Sequence, residues 1–447
     1  MDFHRELPEN NDFSVIVVGG GPAGCAAAIA AARQGAKTLL LESSGMLGGA
    51  ATLALVNAWT PFSDGVRVLY GGIAQEVFRR TKARMYHIPE SALNWVSIDP
   101  EALKSVYDAM TAEAGVTVLF GSRLAAVERE GDRVTGLVVS SKAGLTAYRG
   151  QIYVDATGDG DLCAWAGAAF EKGDGQGNVQ PATHCFTLTN VDEYGYKKGG
   201  KMTLHPQNPD SPIHKIAGDS RFGITDKHLC ASFIGPGTMG FNAGHIWNVD
   251  ATDPESLSEG LRKGRRQAEN FRDALAEYFP RAFADAFLVQ TAPMIGIRES
   301  RRILGDYVFT LEDYLDRRTF PDEICRNNYF VDVHNTAQEA ETLGRSGWHS
   351  DDRYEKYAPG ESHGIPYRCL TPKGLANVLT AGRCISCDHI AQGSLRIMPA
   401  CLTTGEAAGI AAAMTAKEPD GNVHRADVQA IRKILRKNGA YLPEVCP

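Results

Sequence analysis

SVIVVGGGPAGCAAAIAAARQGAKTLLLES, Ser14 to Ser43, sets the architecture of this chain. Val15 to Val18 is a short apolar run with the length and composition of a buried parallel strand. Gly19, Gly21 and Gly24 follow in G-x-G-x-x-G spacing, and the alanine-rich Ala23 to Arg33 reads as a helix with a small-residue inner face. Gly35 ends that helix, and Lys37 to Leu41 form a second strand finishing at Glu42. Each glycine has a steric task. Gly19 permits the tight turn, Gly21 lets backbone approach a pyrophosphate, and Gly24 lets helix lie close on strand. The helix N-terminus, with Pro22 and Ala23, offers N–H groups and a positive dipole end to phosphate oxygens. Glu42, about twenty residues on, can accept hydrogen bonds from a ribose, and Ser43 stands beside it. Strand, turn, helix, strand and acid in this order predict a dinucleotide site. The competing reading is a glycine turn in an empty α/β unit.

With 447 residues the chain can build two or three domains around a large core. Its net charge of −7 argues against a nucleic-acid or anionic-membrane partner. The 47 glycines exceed the usual ~7% and suit close backbone approach to a cofactor. The polar start MDFHRELPENNDF lacks a leader pattern, and no stretch approaches the ~20 apolar residues of a membrane span. Ten scattered cysteines fit reduced thiols in a cytoplasmic protein.

Further along, Gly45, Gly48, Gly49 and Ala50 make a loop expected beside a diphosphate and an isoalloxazine; a surface turn is the alternative. Gly71 to Met85 has helical periodicity. Asp99, Pro100 and Glu101 start a helix that runs to Ala114. Strands are expected at Val116–Phe120, Leu124–Glu130, Val134–Val139, Leu145–Arg149 and Gln151–Ala156. The last ends in DATGDGDL, read as a backbone–cofactor contact through Ala156, Thr157 and Gly158, against a polar turn or a metal-like D-x-D loop. Val191 to Ser220 reads as a surface loop, and Ser256 to Phe279 as a long amphipathic helix. IGIRESRRILGDY, Ile295 to Tyr307, is either an exposed basic face or a buried, cleft-lining turn. Asn377 to Thr380 is a strand with Ala381-Gly382-Arg383 as its glycine exit. Pro399 then opens a small-faced helix at its first position, and Asp427 to Asn438 is the final helix. The pattern predicts a discontinuous cofactor domain, 1–180 plus 366–447, with a substrate domain inserted from Pro181 to Ile365.

VIVVGGGPAGCAAAIAAARQG, GGAAT, VDATGDGDL, GIRESRRILGDY, IPYRCL, AGRCIS and the segment around GS-x-R-x-MPAC and GEAAG together resemble the FAD-dependent oxidoreductase family of the glutathione-reductase superfamily. The resemblance runs from about Val15 to Leu442 and departs from the family pattern at Cys387 and Asp388. It implies an α/β fold, a Rossmann FAD domain carrying a β-rich α+β substrate domain. It implies that Glu42 holds the adenosine ribose, that Ala156-Thr157-Gly158 lies along the adenosine diphosphate and that Gly382 approaches the ribityl chain. Leu124 and Ile397 join the expected FAD contacts.

The expected reaction moves a hydride between flavin N5 and a small polar substrate, one bearing a carboxylate included. His389 is the candidate acid/base, and Arg396, with Arg298 and Arg301, the candidate oxyanion clamp. The helix near Pro399 should aim its positive end at the flavin pyrimidine. No second glycine fingerprint accompanies a strand–helix pair, so electrons would pass to oxygen, a quinone, another protein or a loosely docked nicotinamide. Two rivals use other chemistry: a thiol–disulfide pair at Cys384 and Cys387, and a metal module of Cys384, Cys387, His389 and Cys401, whose second half lacks zinc spacing. No metal is expected, and homo-oligomerisation is left open.

Overall fold

The computed structural model describes residues 6–198, 203–342 and 353–444. In chain order the first part runs β1 (Val15–Val18), α1 (Pro22–Arg33), β2 (Thr38–Leu41), α2 (Gly72–Lys82), α3 (Pro100–Ala114) and β3 (Thr117–Leu119). An antiparallel meander follows, β4 (Arg123–Glu130), β5 (Arg133–Ser141) and β6 (Gly144–Tyr148), and then β7 (Ile152–Asp155). The middle contains β8 (Phe186–Thr189), β9 (Leu229–Gly235), β10 (Thr238–Ala243), α4 (Pro254–Tyr278) and β11 (Phe287–Thr291). The chain finishes with β12 (Val378–Thr380), α5 (Met398–Thr415) and α6 (Val428–Lys437).

The organising sheet is parallel, in the order β12-β7-β1-β2-β3. β12 pairs with β7, Val378 opposite Tyr153, so both ends of the chain build one sheet. β1, β2 and β7 are buried along their whole length, which is why they are continuous apolar runs and do not alternate. α1 and α5 pack against each other on this sheet. A Cβ at Gly405 would collide with the Ala23 carbonyl, and one at Gly409 with the Ala27 carbonyl. Small residues therefore set the helix separation. α5 begins at Met398, which makes Pro399 its second residue, one later than the sequence predicts. Asp99 caps α3 by accepting from the N–H groups of Glu101 and Ala102, and Gly115 ends it in the left-handed region.

The inserted sheet is antiparallel, β9-β10-β8-β11, with α4 laid across it. Phe186, Phe241 and Phe271 stack at its centre and form a core separate from that of the parallel sheet. The hydrophobic clusters divide the chain differently from the expected 181–365 insertion. Phe309, Tyr314, Phe320, Ile324, Val331 and Ile365 pack into the first core, so that stretch lies on the cofactor side. The expected surface loop 191–220 is also corrected in part. Val191, Leu204, Ile213 and Ile216 are buried in the second core, while residues 199–202 of that loop lie outside the described residues. Among the described residues no helix is long and apolar enough to cross a membrane, and no second parallel sheet of the first kind occurs.

Candidate functional site

The N-terminal end of α1 is built to receive an anion. Its N-cap, Gly21, brings no side-chain cap, and the first turn holds no acid. Gly19 has φ +98°, and a Cβ there would meet the Ala156 carbonyl at 2.5 Å. A Cβ at Gly24 would collide with the Gly19 carbonyl. Gly21 is different: nothing lies within 4 Å of where its Cβ would stand. The protein packs tightly behind the turn and leaves space in front of it, the shape a diphosphate needs.

The other glycine turns close on the same place. Gly48 donates to the Gly20 carbonyl at 2.8 Å, and a Cβ at Gly49 would come within 2.9 Å of the Gly21 Cα, so the loop carrying Ala50 is not a free surface turn. Glu42 is buried and accepts from Gly20 N–H at 2.8 Å and Ser44 N–H at 2.6 Å, with the Ser43 hydroxyl at 3.4 Å. Leu124 is buried on β4. Gly382 has φ +80°, and a Cβ there would meet the Ala23 side chain at 2.8 Å. Ile397 is the N-cap of α5, which also lacks a side-chain cap.

The DATGDGDL turn is not a metal loop. Asp155 accepts from Thr157 and from Cys163 N–H; Asp159 pairs with Arg383 at 2.8 Å, and Asp161 with Arg301 at 2.8 Å. Arg383, beside Gly158, has a buried Nη1 with no protein partner among the described residues. A guanidinium with an unused donor at the glycine-lined end of the sheet fits a phosphate or ribityl oxygen. Sequence reading passed over it although it directly follows Gly382. These backbone cradles and orphaned donors fit FAD, with Gly19 to Gly24, Gly48, Gly49, Gly158 and Gly382 as its close-approach points.

On the other side stands a wall of charged side chains. The GIRESRR stretch is cleft-lining: Arg298, Glu299 and Arg302 are all buried. His389 Nδ1 lies 2.7 Å from the Glu299 carboxylate, and Glu299 also pairs with Arg302. Arg396 donates to the Asp332 carbonyl at 2.6 Å and reaches its carboxylate at 3.3 Å. Glu406, another acid near in sequence, is not its partner, accepting instead from Ile73 N–H at the start of α2 and from Asn438. Arg298 donates to the Pro181 carbonyl and the Thr183 hydroxyl. Burial, and then the positive charge of Arg396, pull its pKa down to about 10. The structure thus gathers His389, Arg396 and Arg298 near one wall and turns Arg301 away, onto Asp161.

The loop from His389 to Arg396 is held firmly. Ser394 donates to the Tyr329 carbonyl and accepts from Asn327, a residue of the short strand Glu323–Asn327. The Cys384 and Cys387 thiols are both buried and burial pushes both upward, which disfavours the thiolate that disulfide exchange requires. Neither they nor Cys401 converge with His389 on a common point: their sulfurs face backbone carbonyls, that of Asp155 for Cys384 and those of their own segments for all three. What the sequence did not reveal is Glu299 and Asp332, the acids that orient His389 and Arg396. Each lies tens of residues from its partner in sequence.

No curated protein matches the chain. Among solved structures, a geranylgeranyl bacteriochlorophyll reductase-like protein from Thermoplasma acidophilum is 15% identical, aligning 97% of this chain with 85% of its own at a TM-score of 0.44. The p-nitrophenol 4-monooxygenase of Pseudomonas putida DLL-E4 is 11% identical over 99% of this chain and 91% of its own, at a TM-score of 0.47. Likenesses this distant carry no functional argument. The family model described as FAD dependent oxidoreductase, however, matches residues 14–435, nearly the whole chain. With the glycine cradle already in place to receive the cofactor, this protein belongs to the FAD-dependent oxidoreductase family.

Proposed function

We propose that this enzyme moves a hydride between flavin N5 and a small polar substrate whose carboxylate, or a similar oxyanion, docks on Arg396 with Arg298 alongside. The observation that carries this reading is the Nε of Arg396, buried and without a hydrogen-bond partner among the described residues. An unmet buried donor on a charged group is costly, on the order of 1–3 kcal/mol or more. A substrate oxygen would satisfy it and offset the second buried cation, Arg298. FAD supplies the two-electron chemistry. His389 would then take or give the substrate's proton: Glu299 holds Nδ1 and fixes the ring, which leaves Nε2 to exchange.

Anaerobic mixing of the yellow holoenzyme with a panel of hydroxy, amino and keto acids tests this reading, with bleaching of the flavin band near ~450 nm as readout. Acids that bleach should do so faster than the matching neutral amides. Bleaching by uncharged analogues alone would remove the arginine clamp from the proposal.

A further inference from the structure

We propose that His228, His245 and His334 form a binding site for one divalent first-row transition-metal ion. The three are all buried, and one ring nitrogen of each lies within 4.8 Å of those of the other two. They come from separate places: His228 precedes β9, His245 follows β10, and His334 sits in the segment after the strand Glu323–Asn327. Local spacing therefore gave no motif to read.

Two of the imidazoles already face each other across one point, and the third lies beside them. His245 Nε2 and His334 Nδ1 are 2.8 Å apart. Two ligands of a tetrahedral ion at about 2.0–2.1 Å from each nitrogen would be roughly 3.3 Å apart. An ion can thus replace the hydrogen bond between the two rings with little movement. The His228 ring lies stacked on that of His245, planes 17° apart, so it must tilt out of the stack to bring its lone pair onto the ion. The His334 ring already stands across both.

The outer groups support the same assignment. The Asp226 carboxylate stands 3.3 Å from Nδ1 of His245, the nitrogen turned away from His334. It also accepts from the backbone N–H of both His228 and His245. Asp332 stands 3.3 Å from Nε2 of His334, again the outer nitrogen. A carboxylate on the second nitrogen is what fixes the ring and raises the basicity of a metal-bound imidazole. Imidazole ligands suit zinc, iron, copper and nickel more than magnesium or calcium. Three protein ligands also leave a coordination position open. The Ile224–Lys227 segment, which carries Asp226, borders a cavity of about 690 Å³. Asp332 is also the partner of Arg396, so the ion would sit in the wall of the proposed substrate site. The binding itself does not depend on that substrate reading.

The test is equilibrium dialysis of untagged FAD-loaded protein, first stripped with a chelator and then exposed to Zn(II) or Co(II), with bound metal counted by mass spectrometry. About one equivalent per chain should be retained, and Co(II) should give the intense visible bands of a four-coordinate site. His245→Ala and His334→Ala should lose the ion while flavin content and melting temperature report their folding. Should either fail to fold, Asp226→Asn keeps all three imidazoles and should weaken binding about 10–100-fold. Wild-type protein that retains no metal, or variants that bind as wild type does, would overturn the assignment and leave a hydrogen-bonded imidazole cluster. Flavin content unchanged by the metal separates this outcome from any failure of the oxidoreductase reading.

Discussion

Around Gly21 the protein presents backbone; around Arg396 it presents side chains from distant segments. In the cradle, ligand-facing surface exists because Cβ atoms are missing, and five glycines there have positive φ: Gly19, Gly48, Gly49, Gly158 and Gly382. In the wall, buried Arg298 and Glu299 and half-buried His389 and Arg396 are each tied to a partner on another segment. The cradle is a steric device, local and unforgiving. The wall is an electrostatic device, in which charges from separate segments hold one another.

The sharpest way to break this comparison lies inside the cradle itself. Gly24→Val should cost about 3 kcal/mol or more and collapse both fold and FAD content, because its Cβ has no room beside the Gly19 carbonyl. Gly21→Val faces open space in the protein and should stay folded while losing FAD. Thermal melts paired with flavin absorbance distinguish the two. Equal destabilisation of both variants would mean that Gly21 serves packing and not the cofactor.

In the wall, effects should fall on rate and binding and spare the fold. His389→Ala should retain FAD and slow flavin reduction by about 10²–10⁴-fold, and Glu299→Gln should slow it in the same direction. Arg396→Lys should raise KM about tenfold or more with a smaller change in kcat, since lysine cannot offer the forked donors. Stopped-flow reduction with a bleaching substrate reads all three. Undiminished rates would make these residues purely structural.

His363, inside the first core against Phe309 and Tyr314, offers a pH test. Burial lowers the pKa of His363 to about 3, and its ring lies against Tyr357 and Asn327. The unfolded chain takes up this proton near pH 6.5 and the folded chain does not, so stability is complete above 6.5 and falls as pH drops toward 3. The loss by pH 5 should be about 2 kcal/mol, from ~1.4 kcal/mol per pH unit. Chemical denaturation at pH 7 and pH 5 measures it, and His363→Gln should flatten the slope. The smallest effect belongs to Cys387→Ala, which should leave flavin turnover within about twofold, because the thiol is buried and its thiolate disfavoured. A larger fall would restore the dithiol reading.

How much of this was legible follows from the same contrast. Gly19, Gly21, Gly24 and Glu42 could be read directly, since strand, turn and helix fix their relation within thirty residues or less, and the Ala156–Gly158 turn from its place at the end of its own strand. The N-cap of α3 could be read for the same reason, whereas α4 begins at Pro254, capped by Asp253, two residues before the expected Ser256. Arg383 was readable in principle, one residue past Gly382. His389 and Arg396 could be nominated from their place between β12 and α5, but their acids could not: Glu299 and Asp332 come from elsewhere in the chain.

By itself, then, the sequence determined the parallel sheet, the cofactor cradle and the joining of both chain ends in one unit, because these depend on short-range sterics and on apolar runs that demand burial. Only the tertiary structure decided that residues 309–333 belong to the first core, that Arg301 serves the DATGDGDL turn and not the wall, and that His228, His245 and His334 meet. The physical reason is range. A glycine's missing Cβ acts on atoms its neighbours in sequence already place, whereas a buried charge or imidazole takes whatever partner the packing of distant segments brings within a few ångströms.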